Sequence, residues 1–233
     1  MLRYLTFAIC LTGLSAHATD LPSYLRHALA NFNPAVPQEW AYTITTQRGD
    51  ESSVERFDPS LPTEQQWTLL QHNNRPATAE EISRSGSYRI STSANTHASF
   101  NRGDIDLGTF HLFREDENRA EFRAHFREDI KDPMLHRLEL QLSVSKTKAI
   151  VERFTLQLMA PYSPILTVNM LELRVETTLS APTEDRPSLP VLVTSRFRGR
   201  VLLIKSIEED VRTSYSDFIR VRPFLPQPPD TAP

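Results

Sequence analysis

The chain has 233 residues, of which 39% are hydrophobic, and this length is sufficient for one sizeable domain. Its formal net charge of −3 argues against a nucleic-acid-binding surface. Its single cysteine, Cys10, lies close to the N-terminus, so the rest of the chain has neither a disulfide nor a thiolate metal site.

Residues 1–18 have the three parts of a secretory signal peptide. Arg3 is the one basic residue, an apolar run covers residues 5–14, and Ala16-His17-Ala18 forms a small-x-small cleavage site. The apolar run is too short to span a bilayer, which takes about 20 residues. We therefore expect cleavage after Ala18, export to the periplasm and no transmembrane segment in the mature chain.

The mature chain begins with a segment of helical period. In "LPSYLRHALANF", apolar residues recur every three or four positions, which predicts a helix over residues 21–32 that ends at Asn33-Pro34. Asp20 can cap this helix, and Pro22 suits its first turn. A second short helix is predicted in "ATAEEISRS", where Thr78 and Glu81 have capping-box spacing.

Between the two helices the apolar period changes to two. "EWAYTITTQ" and "SSVERFD" predict a hairpin around Arg48-Gly49-Asp50, and "QQWTLL" predicts a third short strand. Residues 85–104 are rich in Ser, Asn and Gly and have no clear period, which predicts a long loop.

From residue 105 onward the alternation is almost purely that of β-strands. In the first pair of strands we expect Leu112 to lie opposite Phe122 and Phe110 opposite Ala124, around a loop at 115–119. In the next pair the apolar residues of one strand are predicted to face those of the other. These are Leu138, Leu140, Leu142 and Val144 on one strand, and Phe154, Leu156 and Leu158 on the other.

Three further strands are predicted at 168–179, 190–205 and 210–221. In the first of them the adjacent Met170 and Leu171 indicate a bulge. Long strands that are joined by short hairpins and apolar on one face predict a mainly β (α+β) fold. We expect a single domain over 19–222, in which a large curved antiparallel sheet, an open half-barrel, is covered by two or three short helices. The Pro-rich tail, 223–233, is predicted to be disordered.

Arg196, Arg198 and Arg200 alternate along one predicted strand and could form either an anion site or cross-strand ion pairs. With a turn at 206–209 and Lys205 opposite Asp210, Arg198 would face Asp217 and Arg200 would face Tyr215. Such pairs stabilise a sheet by about 0.2–1 kcal/mol each, which favours the structural interpretation. Gly199 indicates a bulge or a close backbone approach.

No pattern of residues predicts catalysis, a metal or a cofactor. His111 and His125 could share one face of neighbouring strands, but a third ligand is missing, so solvent-exposed histidines are the favoured interpretation. Glu80-Glu81 and Glu208-Glu209 are adjacent in sequence and point in different directions, unlike a glycosidase pair. "RGDIDLG" (102–108) lacks the later glutamate of a calcium loop. We expect no enzyme activity.

Apolar residues on single faces of the sheet are the candidate ligand-facing positions. They could form either a packed core or a concave cavity that admits acyl chains, and both give the same alternation. The candidates are Phe110, Leu112, Phe122, Phe126, Leu138, Leu140, Phe154, Leu156 and Val168.

This layout resembles that of the periplasmic lipoprotein carriers and receptors LolA and LolB. The shared elements are a signal peptide, the short helix "LPSYLRHALANF", strands with an early helix, and hairpins that end in "VRTSYSDF". The resemblance implies an open β-barrel, lidded by helices, that holds acyl chains in an apolar cavity. Residues 56–82 also resemble a segment common in uncharacterised exported proteins of Gram-negative bacteria, from which no activity carries over.

The leading hypothesis is therefore a soluble periplasmic protein that binds a lipid or the acyl chain of a lipoprotein. The alternative is a structural or interaction protein of the cell envelope, with another envelope protein as partner and no ligand. A hydrolase is the third hypothesis, and it would need a nucleophile and base in one cleft or a metal triad around His111 and His125. Nucleic acid is not an expected partner.

Overall fold

The computed structural model describes residues 21–84, 100–202 and 205–224. The predicted signal peptide, the Asp20 cap, most of the predicted loop at 85–104 and the end of the predicted tail lie outside the described residues. The described part contains two α-helices, α1 (Ser23–Ala30) and α2, which covers residues 79–84. The strands are β1 (Trp40–Arg48), β2 (Glu51–Phe57), β3 (Trp67–His72), β4 (Arg75–Pro76), β5 (His111–Glu115), β6 (Arg119–Ala124), β7 (Leu138–Ser145), β8 (Ile150–Leu158), β9 (Tyr162–Ile165), β10 (Val168–Leu179), β11 (Pro190–Val201) and β12 (Lys205–Arg220).

All twelve strands belong to one antiparallel sheet with the order β4-β3-β2-β1-β12-β11-β10-β8-β7-β6-β5, and β9 pairs with β10 off this path. The two end strands, β4 and β5, are not neighbours, so the sheet is open. The prediction of a mainly β fold with one large antiparallel sheet and few helices is thus confirmed.

The core lies between α1 and the β6–β8 part of the sheet. Leu25, Ala28 and Leu29 of α1 are buried, as the predicted helical period requires, and they pack mainly against β7 and β8. The Arg102 guanidinium donates hydrogen bonds to the carbonyl oxygens of Leu29, at 3.0 Å, and Ala30. It thereby binds two carbonyls of the last helical turn, of which that of Leu29 also accepts from the Phe32 backbone N–H at 3.3 Å.

The second predicted helix does not cover the sheet in its described part. Its residues are exposed except for Glu81, and its one large apolar residue, Ile82, is 41% exposed. A helix with a single large apolar residue has no stripe to bury against a sheet. Among the described residues, α1 is the α-helix that packs on the core, together with the segments around Phe100 and Leu135.

Most of the predicted hairpins are present in the predicted register. Gly49 forms the β1–β2 turn at a φ of 56°, and Leu140 pairs with Leu156 between β7 and β8. Leu112 pairs with Phe122 between β5 and β6. The pairing of β10 with β11 shifts between Met170 and Glu172, which confirms the predicted bulge.

The register predicted for the last hairpin is wrong. The chain reverses between the paired residues Val201 and Lys205 rather than at 206–209, so Arg198 pairs with Glu208 and Arg200 with Ser206 instead of Asp217 and Tyr215. Leu202 has a φ of 54°, as the left-handed position of a short hairpin loop requires. The sequence prediction placed the acidic Glu208 in the turn and the apolar Leu202 in the preceding strand. In the structure Leu202 is the turn residue and Glu208 lies within β12.

Candidate functional site

The pairing of the strands sorts the side chains into an apolar face and a polar face. One row of directly paired residues crosses the sheet from β7 to β1, and we call the face that carries this row the apolar face. The row consists of Leu142, Phe154, Thr177, Val193, Thr213 and Thr46.

One half of the apolar face is a packed core, and it contains seven of the nine predicted ligand-facing residues. They are 0–8% exposed, and they are Phe110, Phe122, Phe126, Leu138, Leu140, Phe154 and Leu156. The rings of Phe32 and Phe100 pack edge-on against Phe154, with centroids 5.5 and 5.7 Å away. These side chains therefore contact α1 and the segments beside it.

The other two predicted residues lie outside the core. Leu112 is 50% exposed because β5 is the last strand of the sheet, and Val168 is partly buried at the start of β10. The structure thus brings seven of the candidates together and leaves these two apart.

The other half of the apolar face, over β10, β11, β12 and β1, is partly buried at most positions, although Thr177, Thr213 and Ile44 are buried. The contacts of α1 centre on β7 and β8, away from these strands. We call this surface the open half. Its apolar side chains are Leu173, Val175, Val193, Phe197, Val211 and Tyr215. The sequence prediction did not include these side chains among the ligand-facing residues, because most of them alternate with charged residues. The alternation itself, in "LELRVETT" and "VLVTSRF", was the signal that could have identified them.

A cluster of partly buried aromatic rings extends the open half to β3. Tyr42 is at its centre, with ring centroids 5.1 Å from Phe57, 5.5 Å from Tyr215 and 5.8 Å from Phe218. Trp67 completes the cluster at 4.8 Å from Phe57. Offset and edge-to-face rings at these distances attract one another beyond the effect of their buried area, so the cluster is a rigid wall of the open half.

The polar face carries the arginines that alternate along β11. Arg196 pairs with Asp210 at 2.9 Å, which raises the pKa of Arg196, and Arg198 pairs with Glu208 at 2.7 Å. The structural interpretation of these two arginines is thus confirmed, although with different partners from those expected. A polar groove of about 490 Å³ adjoins them, lined by Gln47, Gly49, Arg174, Thr194, Ser195, Arg196, Asp210, Val211 and Arg212.

His111 and His125 belong to no metal site in the described part of the chain. His111 is exposed, with Nδ1 3.4 Å from the Thr109 carbonyl oxygen, and the His125 backbone N–H donates to Thr109 Oγ1 at 2.9 Å. Among the described residues, no group of three or more His, Cys, Asp or Glu side chains is placed to hold a metal ion. In the same part of the chain, no helix is long and apolar enough to cross a membrane.

A cluster of polar side chains joins the β3–β4 hairpin to α2. Glu81 accepts hydrogen bonds from Arg75 at 2.6 and 2.9 Å and from the Thr78 backbone N–H at 2.9 Å, and it lies 2.8 Å from His72 Nδ1. These partners, Arg75 first, lower the pKa of Glu81 well below its usual range. Both carboxylate oxygens are occupied, so the cluster fastens a helix end and does not form an acid–base site.

Comparison with known proteins gives no family for this chain. No protein-family model, no curated protein and no solved structure matches it. The case for any function therefore rests on the apolar face and the elements around it.

Proposed function

We propose that the protein is an exported, periplasmic carrier that binds a lipid or an acyl chain on the open half of the apolar face. The single observation that carries the proposal is the difference between the two halves of one sheet face. The half over β7 and β8 is covered by α1, whereas the half over β10 to β12 presents apolar side chains that the described part of the chain only partly buries.

The chemistry of the open half suits an acyl chain. Val175, Val193 and Phe197 offer aliphatic and aromatic surface, and the aromatic cluster closes one side. Glu209, which lies opposite Phe197 on the same face, is neutralised by its ion pair with Arg48 at 2.5 Å. The burial of a methylene group from such a chain is worth about 0.8 kcal/mol, so a long chain can bind without specific polar contacts. The hydroxyl groups of Thr46 and Thr213 form a hydrogen bond with each other at 3.3 Å, and the one that accepts it can donate its own proton to an ester carbonyl of the lipid.

Native mass spectrometry tests the proposal on protein purified from its own cell envelope. We expect a bound lipid, and we expect Val193→Glu to abolish the lipid-bound peak, because a buried carboxylate beside the acyl chain would lack a partner. Val193→Thr, which has nearly the same shape, should reduce lipid binding while it keeps the fold.

Thr194→Glu is the matched control. Thr194 neighbours Val193 but lies on the polar face, beside Arg174 and Arg196. This variant should retain the lipid, and thermal melting of all three variants will show whether each is folded. Consistently empty wild-type protein, or equal lipid content in Val193→Glu and Thr194→Glu, would contradict the carrier function.

A second candidate function is that of an interaction protein of the cell envelope. The supporting observation is the end strand β5, whose residues are all exposed and include Leu112 and Phe113, at 50% and 55% exposed. A strand at the edge of a sheet can pair with an extended segment of another protein. The same purification distinguishes the two functions, because a stoichiometric partner protein in place of lipid would favour this one.

A further inference from the structure

Three strands project beyond the rest of the sheet as an arm. β10 pairs with β8 only over Arg174–Thr178, and β12 pairs with β1 only from Val211 onward. Residues 168–173, 197–201 and 205–209 therefore pair only with one another and with β9. We call these residues, together with β9 and residues 166, 167 and 202, the arm. At about 3.3 Å per residue, the arm extends about 20 Å beyond the pairing of the neighbouring strands. Its Tyr162, Met170 and Leu173 pack against the core, so the part that projects is its far end.

The tip of the arm carries exposed aliphatic side chains. Leu166 is 96% exposed in the β9–β10 turn, and Ile165, next to it, is 60% exposed. Leu202, in the β11–β12 turn, is 62% exposed. The Leu202 backbone N–H donates to the Thr167 carbonyl oxygen at 2.7 Å, so the two turns are held side by side. The three side chains thus form one apolar surface on a projecting element.

Positive charges surround this apolar tip without negative charges beside them. Arg200 and Lys205 are exposed near the ends of β11 and β12, and within the described residues neither side chain makes a hydrogen bond or an ion pair. The nearest acidic groups along the arm, Glu172 and Glu208, both pair with Arg198, one step farther from the tip. The end of the arm therefore combines aliphatic side chains with two unpaired cations.

We infer that the tip of the arm docks peripherally on a lipid bilayer that contains anionic phospholipids. Ile165, Leu166 and Leu202 would enter the region between headgroups and acyl chains, while Arg200 and Lys205 would bind the phosphates. A membrane surface accommodates a projecting leucine without a matching groove, whereas a protein partner would need one. The inference goes beyond the proposed carrier function and does not depend on it.

Flotation of the purified protein with lipid vesicles tests this inference. We expect the protein to float with vesicles of phosphatidylcholine and phosphatidylglycerol, and more weakly with phosphatidylcholine alone. Leu166→Ser combined with Leu202→Asn should weaken binding to both kinds of vesicle by about tenfold or more, because apolar area stays in water. Asn tolerates the positive φ of position 202, so the turn should still form.

Charge variants separate the two parts of the tip. Arg200→Gln and Lys205→Gln should each weaken binding to the anionic vesicles about fivefold and leave binding to neutral vesicles unchanged. Leu107→Ser is the matched control, because Leu107 is 54% exposed but lies far from the arm in sequence and outside it in the fold. It should bind as the wild type does.

The inference is overturned if the wild type does not float with anionic vesicles, or if the double leucine variant floats as well as the Leu107→Ser control. The result is independent of the carrier test. A protein that carries no lipid in the mass spectrum but floats with vesicles would refute the carrier and retain the docking arm. A lipid-loaded protein that does not float would refute the docking arm and retain the carrier.

Discussion

Glu81 illustrates how single charged residues act in this molecule. Its carboxylate binds side chains of β3 and β4 and caps the helix to which it belongs. Arg102 has a similar role at α1, where it binds carbonyl oxygens of the last helical turn from a segment distant in sequence. At the scale of the residue, these two charged side chains hold helix ends and a hairpin in place. Neither of them belongs to the apolar surface that would bind a ligand.

The lowered pKa of Glu81 leads to a prediction about its main partner. Because the hydrogen bond from Arg75 is the largest cause, Arg75→Gln should raise the pKa of Glu81 towards its usual value. The NMR chemical shift of the Glu81 side-chain carboxyl carbon, followed from pH 7 downward, measures this change. Arg84→Gln is the matched control, because Arg84 pairs with Glu80 at 2.6 Å and should leave the titration of Glu81 unchanged.

The sign of the effect on stability follows from the direction of the shift. A carboxyl group with a lowered folded-state pKa stabilises the hairpin and α2 above its unfolded pKa, about 4.3. This contribution is lost as the pH falls through the lower folded-state value. Titration of wild-type Glu81 near 4.3, or an equal shift in Arg84→Gln, would contradict the assignment of the cause to Arg75.

The capping box of α2 could be predicted from the sequence because Thr78 and Glu81 are three residues apart, and the Glu81 N–H does donate to Thr78 Oγ1 at 3.3 Å. The contributions of Arg75 and His72 could not, because they depend on the path of the β3–β4 turn. Asn73 and Asn74 form this turn at φ angles of 49° and 60°. Local spacing thus predicts the contact between Thr78 and Glu81. The path of the turn determines the contacts of Glu81 with Arg75 and His72.

At the scale of the element, alternation predicts which face a residue occupies, but it does not determine which residue lies opposite. The β7–β8 register was predictable because Leu140 and Leu156 belong to long apolar runs joined by a short polar turn. The β11–β12 register was not, because the turn contains Leu202 instead of a typical turn residue. The real turn lengthens β12 to 16 residues and creates the arm.

Gly199 provides a test of how tightly the arm is built. A Cβ atom at this position would lie 2.8 Å from Cζ of Phe197 and 2.9 Å from the Asn169 carbonyl oxygen. Since the carbonyl oxygen belongs to the backbone of β10, the ladder itself would have to move. We expect Gly199→Ala to destabilise the arm by about 1–3 kcal/mol, measured as faster amide hydrogen exchange over residues 196–201.

Gly103→Ala is the control for this prediction. A Cβ atom at Gly103 would meet no atom within 4 Å, so the variant should exchange at the wild-type rate in the arm. Equal exchange in Gly199→Ala and Gly103→Ala would show that the β10–β11 ladder can yield at no cost. The confirmed close approach at Gly199 also agrees with the expectation drawn from a glycine between two arginines.

At the scale of the whole molecule, one sheet face serves as a core over β7 and β8 and as a partly buried surface over β10 to β12. Alternation in the sequence predicts this face along its full width. It does not predict where α1 lies on it, because helix position depends on long-range packing. Leu138 and Leu140 were predicted to face a ligand, but α1 covers them and they lie in the core. Val193 and Phe197 were not predicted to face a ligand, and they lie in the open half.

Two valines on this face provide a matched comparison of its halves. Val144, in β7, is 0% exposed within the core, and Val193, in β11, is partly buried in the open half. Both lie in interior strands, so the loss of β propensity on substitution by alanine should be similar.

We expect Val144→Ala to lower the free energy of unfolding by about 2 kcal/mol, because it removes buried methyl groups and leaves a cavity. Val193→Ala should cost about 1 kcal/mol or less, since its methyl groups retain contact with water. Equilibrium unfolding in urea measures both values. Equal losses would mean that Val193 is as tightly packed as Val144, and an acyl chain would then have no accessible surface on β11.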